Sequence, residues 1–322
     1  MDSVPDAIFQ YILSHINGAR DVAVCSCVSK RWQDSLPYIR SLYFPRNSFD
    51  NHGRDSPDEV VRRMVSRIAK LEELVVYSPF SGAGLASWLL AAGSSLTHLE
   101  LRMDNLTEQQ AYNESTSKLD CISAAKNLKS LKLWGVLMTH SPSGKFSRNS
   151  GTLKLWEQDW RTLHCQLCYV RVQWCWDAIS NMLQWASEVK HLYMKVEFTG
   201  DFDALQPFPE IDFVDFFNSH PKLQKFDIHG AMFAALCQKN SLKNVDTRFV
   251  IPCLEEVVIT VRSPLNAEQK MSTLESFLKF GKNLKAMVIK ILQMKSSHSS
   301  ADDFFEEVCR FKYMNRKIVR IE

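Results

Sequence analysis

His164, Cys165, Cys168 and Cys175 fall within a dozen residues of one another and are donors of the types that hold zinc. Zinc sites pair two ligand clusters at set separations, and no second pair accompanies this one, so no metal centre is expected. No nucleophile motif flanks any of the nine cysteines, and no catalytic role is assigned to them. Gly82-Ala83-Gly84 lacks the remainder of a nucleotide-binding loop and fits a helix entry turn. What remains is the chemistry of recognition. Tyr, Trp and Arg are frequent binding anchors, which singles out Tyr77, Arg102, Trp134 and Tyr193, with Lys195 and Arg262 as cationic partners.

Those six residues all fall out of phase with the last two apolar positions of a repeated pattern, apolar-x-x-apolar-x-apolar. It reads Leu71-Leu74-Val76, Leu96-Leu99-Leu101 and Leu128-Leu131-Leu133. It returns as Val189-Leu192-Met194, Leu223-Phe226-Ile228, Leu254-Val257-Ile259 and Leu284-Met287-Ile289. The start-to-start steps are 25, 32, 61, 34, 31 and 30 residues. Helical spacing fills the intervals: Asp58 as cap for Val60, Val61, Met64, Val65 and Ile68, then Trp176 to Trp185, Ile211 to Phe217, Met271 to Phe280 and Asp302 to Phe311. Each unit is therefore a strand followed by a helix. No unit can bury its own apolar face, which predicts an α/β stack: a solenoid with parallel strands on the concave side and helices on the convex side. Side chains alternate along a strand, so the leucine-type residues point into the core and those between them line the concave face. Asn105 is expected to bond turn backbone in its unit.

Composition agrees with an ordinary globular chain. Hydrophobic residues make up 45% and charged residues 23% of 322. Lys plus Arg is 39 against 36 Asp plus Glu, a net +3, too near neutral for nucleic acid or an anionic membrane as the main partner. The start, MDSVPDAIFQYILSHI, has no basic region ahead of a continuous apolar run, and no run of about 18 apolar residues occurs. An odd number of cysteines without a secretory signal points to a reducing compartment, cytoplasm or nucleus, where the sequons at Asn105 and Asn113 carry no meaning.

Ahead of the repeats, residues 1–45 show three short helical patterns. Pro5 suits a first turn, Ile8, Ile12, Leu13 and Ile16 share a face, and Asn17-Gly18 offers a left-handed stop. Val22 and Cys25 mark a second helix, and Val28, Trp32 and Leu36 a third. So small a module encloses little core, so its apolar surface is expected either to meet another chain or to close the end of the stack.

Val4-Pro5-Asp6, Ile12-Leu13-Ser14 and Val28-Ser29-Lys30-Arg31-Trp32 resemble an F-box, which carries Leu-Pro-Asp, Ile-Leu and Val-(Cys/Ser)-Lys-x-Trp at these points. Val4 and Ala7 stand where Leu and Glu are common. With the repeats behind it, the chain resembles the plant F-box/leucine-rich-repeat proteins over about 1–138 and 174–322. That resemblance implies a non-catalytic substrate receptor of an SCF-type ubiquitin ligase. Its F-box would bind a Skp-type adaptor, and through it a cullin and RING scaffold, while the repeats hold an unknown protein target. Position by position it implies adaptor contacts at Val4, Pro5, Ile8, Ile12, Leu13, Ile16, Val22, Val28, Lys30 and Trp32. No cofactor is implied, and catalysis would be proximity alone. The alternative is a repeat scaffold of the same fold with no ubiquitin connection.

The resemblance divides the chain into an F-box (1–45), a first repeat block (46–138), an atypical segment (139–173) and a second block with a C-terminal helix (174–322). A unit is due near residue 159 and none fits the leucine pattern there. Residues 139–173 therefore read either as an insertion or as a splice or frame-altered junction between two good halves that shortens the stack.

Overall fold

The structure, a computed structural model, describes residues 4–49, 56–78, 80–92, 94–102, 119–136, 162–170, 183, 186–199, 211–238, 246, 248–292 and 299–322. The chain forms two compact units. One comprises residues 1–160 and 177–185, the other 161–176 and 186–322.

Unit one opens with α1 (Asp6–Ser14), α2 (Ala19–Val28) and α3 (Lys30–Asp34), followed by a 3-10 turn at Leu36–Tyr38. Four strands then pair in chain order, all parallel: β1 (Ser41–Phe44), β2 (Glu73–Tyr77), β3 (His98–Arg102) and β4 (Ser130–Val136). Helices α4 (Pro57–Val65) and α5 (Gly82–Ala92) and a 3-10 turn at Asp120–Ala124 fill the crossovers. Unit two repeats the scheme with six parallel strands, again in chain order: β5 (Thr162–Val170), β6 (His191–Thr199), β7 (Lys225–His229), β8 (Glu256–Val261), β9 (Ala286–Ile291) and β10 (Val319–Ile321). Its helices are α6 (Phe213–Ser219), α7 (Gly230–Gln238), α8 (Ala267–Phe280) and α9 (Ser299–Met314).

The core follows from alternation. Leu74 and Val76, Leu99 and Leu101, Phe226 and Ile228, and Val257 and Ile259 are buried, while their alternate neighbours are half-buried or exposed except Thr260, which is buried on β8. Successive strands inside each unit are also joined by one recurring backbone device. The carbonyl just ahead of a strand accepts from the two amides that open the next: Arg40 from Glu72 and Glu73, Glu72 from Thr97 and His98, Thr97 from Lys129 and Ser130. Unit two repeats it at Lys190, Gln224 and Glu255. Asn127 Nδ2 donates to the Ser94 carbonyl at 2.7 Å and Asn283 Nδ2 to the Pro252 carbonyl at 2.6 Å, each crossing to the preceding turn. These are the asparagines that tie turn backbone; Asn105 lies outside the described residues.

Several sequence expectations need correction. Ser56, not Asp58, caps α4 by accepting from the Glu59 amide. Gly18 is not left-handed (φ −64°). The Asn17 carbonyl accepts from the Tyr43 amide at 2.7 Å and Gly18 bridges Tyr43, so this turn docks the helices on β1. β1 lies inside 1–45 and already belongs to the sheet. A strand does form where the missing unit was due: β5 begins at Thr162, 32 residues after β4 and 29 before β6. It carries the pattern as Trp160-Leu163-Cys165, with Trp and Cys standing for leucine, and Leu163 and Cys165 are in register with the core residues Leu192 and Met194.

Candidate functional site

Two kinds of surface are built on this frame: the helices that open unit one, and the non-core faces of the strands. In the helices, Leu13 and Val22 are fully interior and Phe9 nearly so. Burying a leucine of this kind stabilises by about 1.5–3 kcal/mol. Trp32 stands edge-on to Phe9 with ring centres 5.1 Å apart, and the Arg31 guanidinium lies 4.2 Å from the Phe9 ring centre. Arg31 also bonds the Asp6 carboxylate at 2.7 Å and the Val4 carbonyl. Ser29 caps α3 by accepting from the Trp32 amide. The Val4-Pro5-Asp6 and Arg31-Trp32 ends of the motif are thereby fastened together.

Leu13 and Val22 are thus structural in this conformation and do not form surface, because their side chains are spent on the interior. Val4, Ile16 and Trp32 are half-buried, and Pro5, Ile8, Ile12, Val28 and Lys30 are exposed. Tyr11 and Val24 join the exposed set, at 67% and 61%. The sequence carried that signal: Ile8, Tyr11 and Ile12 are spaced i, i+3, i+4, and Val24 and Val28 i, i+4. Large exposed apolar residues clustered on consecutive short helices are a mark of an interaction surface.

No protein-family model matches the chain. It is 48% identical to F-box protein At1g10780 of Arabidopsis thaliana, in an alignment of 419 positions that takes in the whole of both chains. The chain belongs to the F-box proteins. The alignment is 97 positions longer than the 322 residues of this F-box protein, so the Arabidopsis chain has internal stretches without counterpart here.

On the non-core face of unit one, Tyr77, Arg102 and Trp134 hold matched register positions on β2, β3 and β4. The Arg102 guanidinium is 5.1 Å from the Tyr77 ring centre and 5.5 Å from that of Trp134. Tyr43 meets Tyr77 edge-on at 5.2 Å. The Tyr77 hydroxyl donates to Glu100 Oε1 at 2.9 Å, and Lys132 Nζ lies 3.5 Å from Glu100 Oε2. Burial, then the Glu100 bond, pushes the Tyr77 phenol above its ordinary range. The result is a planar cation sandwiched between aromatic rings and half open to solvent, suited to contact a protein chain.

On the non-core face of unit two, Tyr193 stands on β6 with its ring 5.0 Å from that of His229, and Lys195 lies two residues further along the same strand. His229 Nε2 is 3.0 Å from Asp227 Oδ1, a close approach lacking hydrogen-bond alignment. Arg262 follows β8, and its Cδ lies 3.2 Å from where a Cβ on Gly230 (φ +44°) would stand. Gly230 is needed there for both reasons. Burial, then the Lys225 ammonium, lowers the His191 pKa, and Lys225 itself pairs with Glu256 at 2.8 Å. The structure brings the first three anchors into one stack, sets Tyr193 beside His229, and lays Arg262 against Gly230.

Among the described residues no group of three His, Cys, Asp or Glu is arranged to hold a metal ion. The expectation concerning His164, Cys165, Cys168 and Cys175 falls on side chains outside those described. Likewise among the described residues, no helix is long and apolar enough to cross a membrane, and Cys25, Cys27, Cys121, Cys237, Cys253 and Cys309 are not joined in disulfides.

Proposed function

We propose that this F-box protein is the substrate-recruiting subunit of an SCF-type ubiquitin ligase. Its three opening helices form the F-box and bind a Skp-type adaptor, which links the chain to a cullin and RING scaffold. The units behind it form a leucine-rich-repeat array that holds a protein target on its strand faces, with Tyr77, Arg102, Trp134, Tyr193, Lys195 and Arg262 as anchors. No group in this chain need react, because holding the target's lysine near a ubiquitin-charged enzyme raises its effective concentration.

The observation that supports this most is the exposed apolar set Ile8, Tyr11, Ile12, Val24 and Val28, carried by helices whose other sides are pinned by Leu13, Val22 and Phe9. The module therefore closes the end of its sheet and still presents grease to water. Adaptor contacts are assigned to Val4, Pro5, Ile8, Tyr11, Ile12, Ile16, Val24, Val28, Lys30 and Trp32. The 97 additional alignment positions amount to about three units at the strand spacing seen here, and they support the reading of a target array with fewer units than that of the Arabidopsis relative.

The test is a pull-down with a plant Skp-type adaptor. Ile12→Asp with Val28→Asp is expected to abolish recovery of adaptor and cullin while leaving the thermal midpoint unchanged. These sites are cleaner than Trp32, whose replacement also removes the Phe9 contact. Adaptor recovery unaffected by the pair, or none with the unaltered chain, overturns the reading.

A further inference from the structure

Two carboxylates on the non-core strand face of unit two are met by lysines: Glu256 by Lys225 at 2.8 Å and Glu322, just past β10, by Lys290 at 3.7 Å. Asp227 on β7 differs. Among the described residues no lysine or arginine lies within ion-pair distance of it, and its one ionisable neighbour is the His229 imidazole, 3.0 Å away and out of alignment. Asp227 Oδ1 is buried and accepts no hydrogen bond, although the side chain as a whole is 32% exposed. Thr260 stands opposite His229 in register on β8, is 2% exposed, and its hydroxyl oxygen likewise makes no hydrogen bond. Tyr193, opposite Asp227 on β6, sets its ring 5.0 Å from that of His229. Four side chains on three neighbouring strands thus hold two buried oxygens, one of them on a carboxylate, without a donor. Buried polar groups are nearly always bonded, so the exception calls for an explanation.

We propose that this cluster is a subsite for an arginine side chain of the target protein. Charge decides the class: a carboxylate with no lysine or arginine of its own, beside a hydroxyl that can accept, complements a group that only donates. A guanidinium carries five N–H donors in one plane and no acceptor. It can therefore serve Asp227 and Thr260 together while its flat face packs against the Tyr193 ring. A lysine ammonium is a point charge without that plane. Asp227 does not act simply as the partner of His229, because their approach lacks the alignment of a hydrogen bond. Docking must turn aside the His229 ring, which lies against the buried carboxylate oxygen. The proposal rests on the reading of this strand face as the target surface, and it names the chemistry that one part of that surface takes.

NMR titration of the full chain with N-acetylargininamide, against the neutral isostere N-acetylcitrullinamide, tests it without target or adaptor. The arginine derivative is expected to bind weakly but saturably and to shift the His229 ring signals, which are assigned by their loss in His229→Gln. The citrulline derivative is expected to bind about tenfold more weakly or worse. Asp227→Asn is expected to weaken arginine binding about tenfold or more. Thr260→Val is expected to weaken it about threefold while raising the thermal midpoint, since it removes a buried hydroxyl that lacks a partner. That rise cannot come from a misfolded chain. Both variants are expected to recover adaptor as the unaltered chain does, because the adaptor surface lies in unit one, so failure here is read separately from failure of the ligase reading. An equal response to the two derivatives, His229 signals that do not move, or arginine binding indifferent to Asp227→Asn overturns the proposal.

Discussion

Gly84 on α5 approaches the Asp58 carboxylate of α4 so closely that a Cβ there would lie 2.2 Å from Cγ. Asp58 cannot easily retreat. Its Oδ2 accepts from the Ser81 hydroxyl at 2.6 Å and the Ser81 amide at 3.2 Å, and its carbonyl accepts from Trp88 Nε1 at 2.9 Å. Gly84→Ala should gain about 1 kcal/mol of helix propensity. Overpacking costs about 1–3 kcal/mol and breaks the Ser81 contacts as well, so the clash wins. The expected outcome is a net loss of about 1–2 kcal/mol, read from urea unfolding midpoints at constant m-value.

The strand order was legible in the sequence because burial on a strand has period two, and Leu74, Val76, Leu99 and Leu101 obey it without exception. β5 was not, because Trp160 and Cys165 replace leucines and hide the pattern from a search keyed to residue type. The role of Asp58 was hidden for a different reason: an acid two residues past Ser56 satisfies local capping rules, and only the long-range partners Ser81 and Trp88 reveal its actual use. The Arg102 stack was half legible. Alternation put Tyr77, Arg102 and Trp134 on one face, whereas their mutual contact depends on strand register, which no single strand encodes. Phe9 and Arg31 were missed because their partners Trp32, Asp6 and Val4 are remote in the chain.

Leu13 and Ile12 are neighbours on α1 with opposite fates, at 0% and 41% exposure. Leu13→Ala is expected to destabilise unit one by about 2–5 kcal/mol, through lost transfer energy and a cavity. Ile12→Ser is expected to change stability by about 0.5 kcal/mol or less and to act on adaptor affinity. Parallel thermal melts and adaptor titrations separate the two. Equal destabilisation by both would mean that α1 has no outward face.

His191 is held below the usual histidine range by burial and then by Lys225. The unfolded chain takes up its proton near pH 6.5, while the folded chain resists. The unfolded state therefore binds more protons in the window below that value, and stability falls as pH drops through it. His191→Gln is expected to flatten this slope, and Lys225→Gln to reduce it. Chemical unfolding at a series of pH values from about 7.5 to 5 measures both. A slope unchanged in His191→Gln assigns the proton elsewhere.

Lys270 of α8 is only 4% exposed. Its Nζ donates to the Ser263 carbonyl at 2.7 Å and to the Leu265 carbonyl, and stands 6.0 Å from the Phe304 ring centre. Burial lowers its pKa, and burial likewise pushes the nearby Cys237 thiol up to about 12. The lysine thus pins the loop after β8, which leaves through Asn266 at φ 57°, at the cost of a desolvated ammonium. Lys270→Met removes that penalty but leaves two carbonyls without their donor, each worth about 1–3 kcal/mol when buried. Leu265 is 74% exposed, so water can reach at least one of them. The opposing effects nearly cancel, and stability at pH 7 should change by about 1 kcal/mol or less. The loop is different, because nothing replaces the pin. Hydrogen exchange across residues 263–266 should accelerate at least tenfold while that of β8 and α8 stays unchanged. Between the folded-state pKa and about 10.4, the unfolded chain keeps a proton that the folded chain has lost, so wild-type stability should rise with pH there. In Lys270→Met that contribution should vanish.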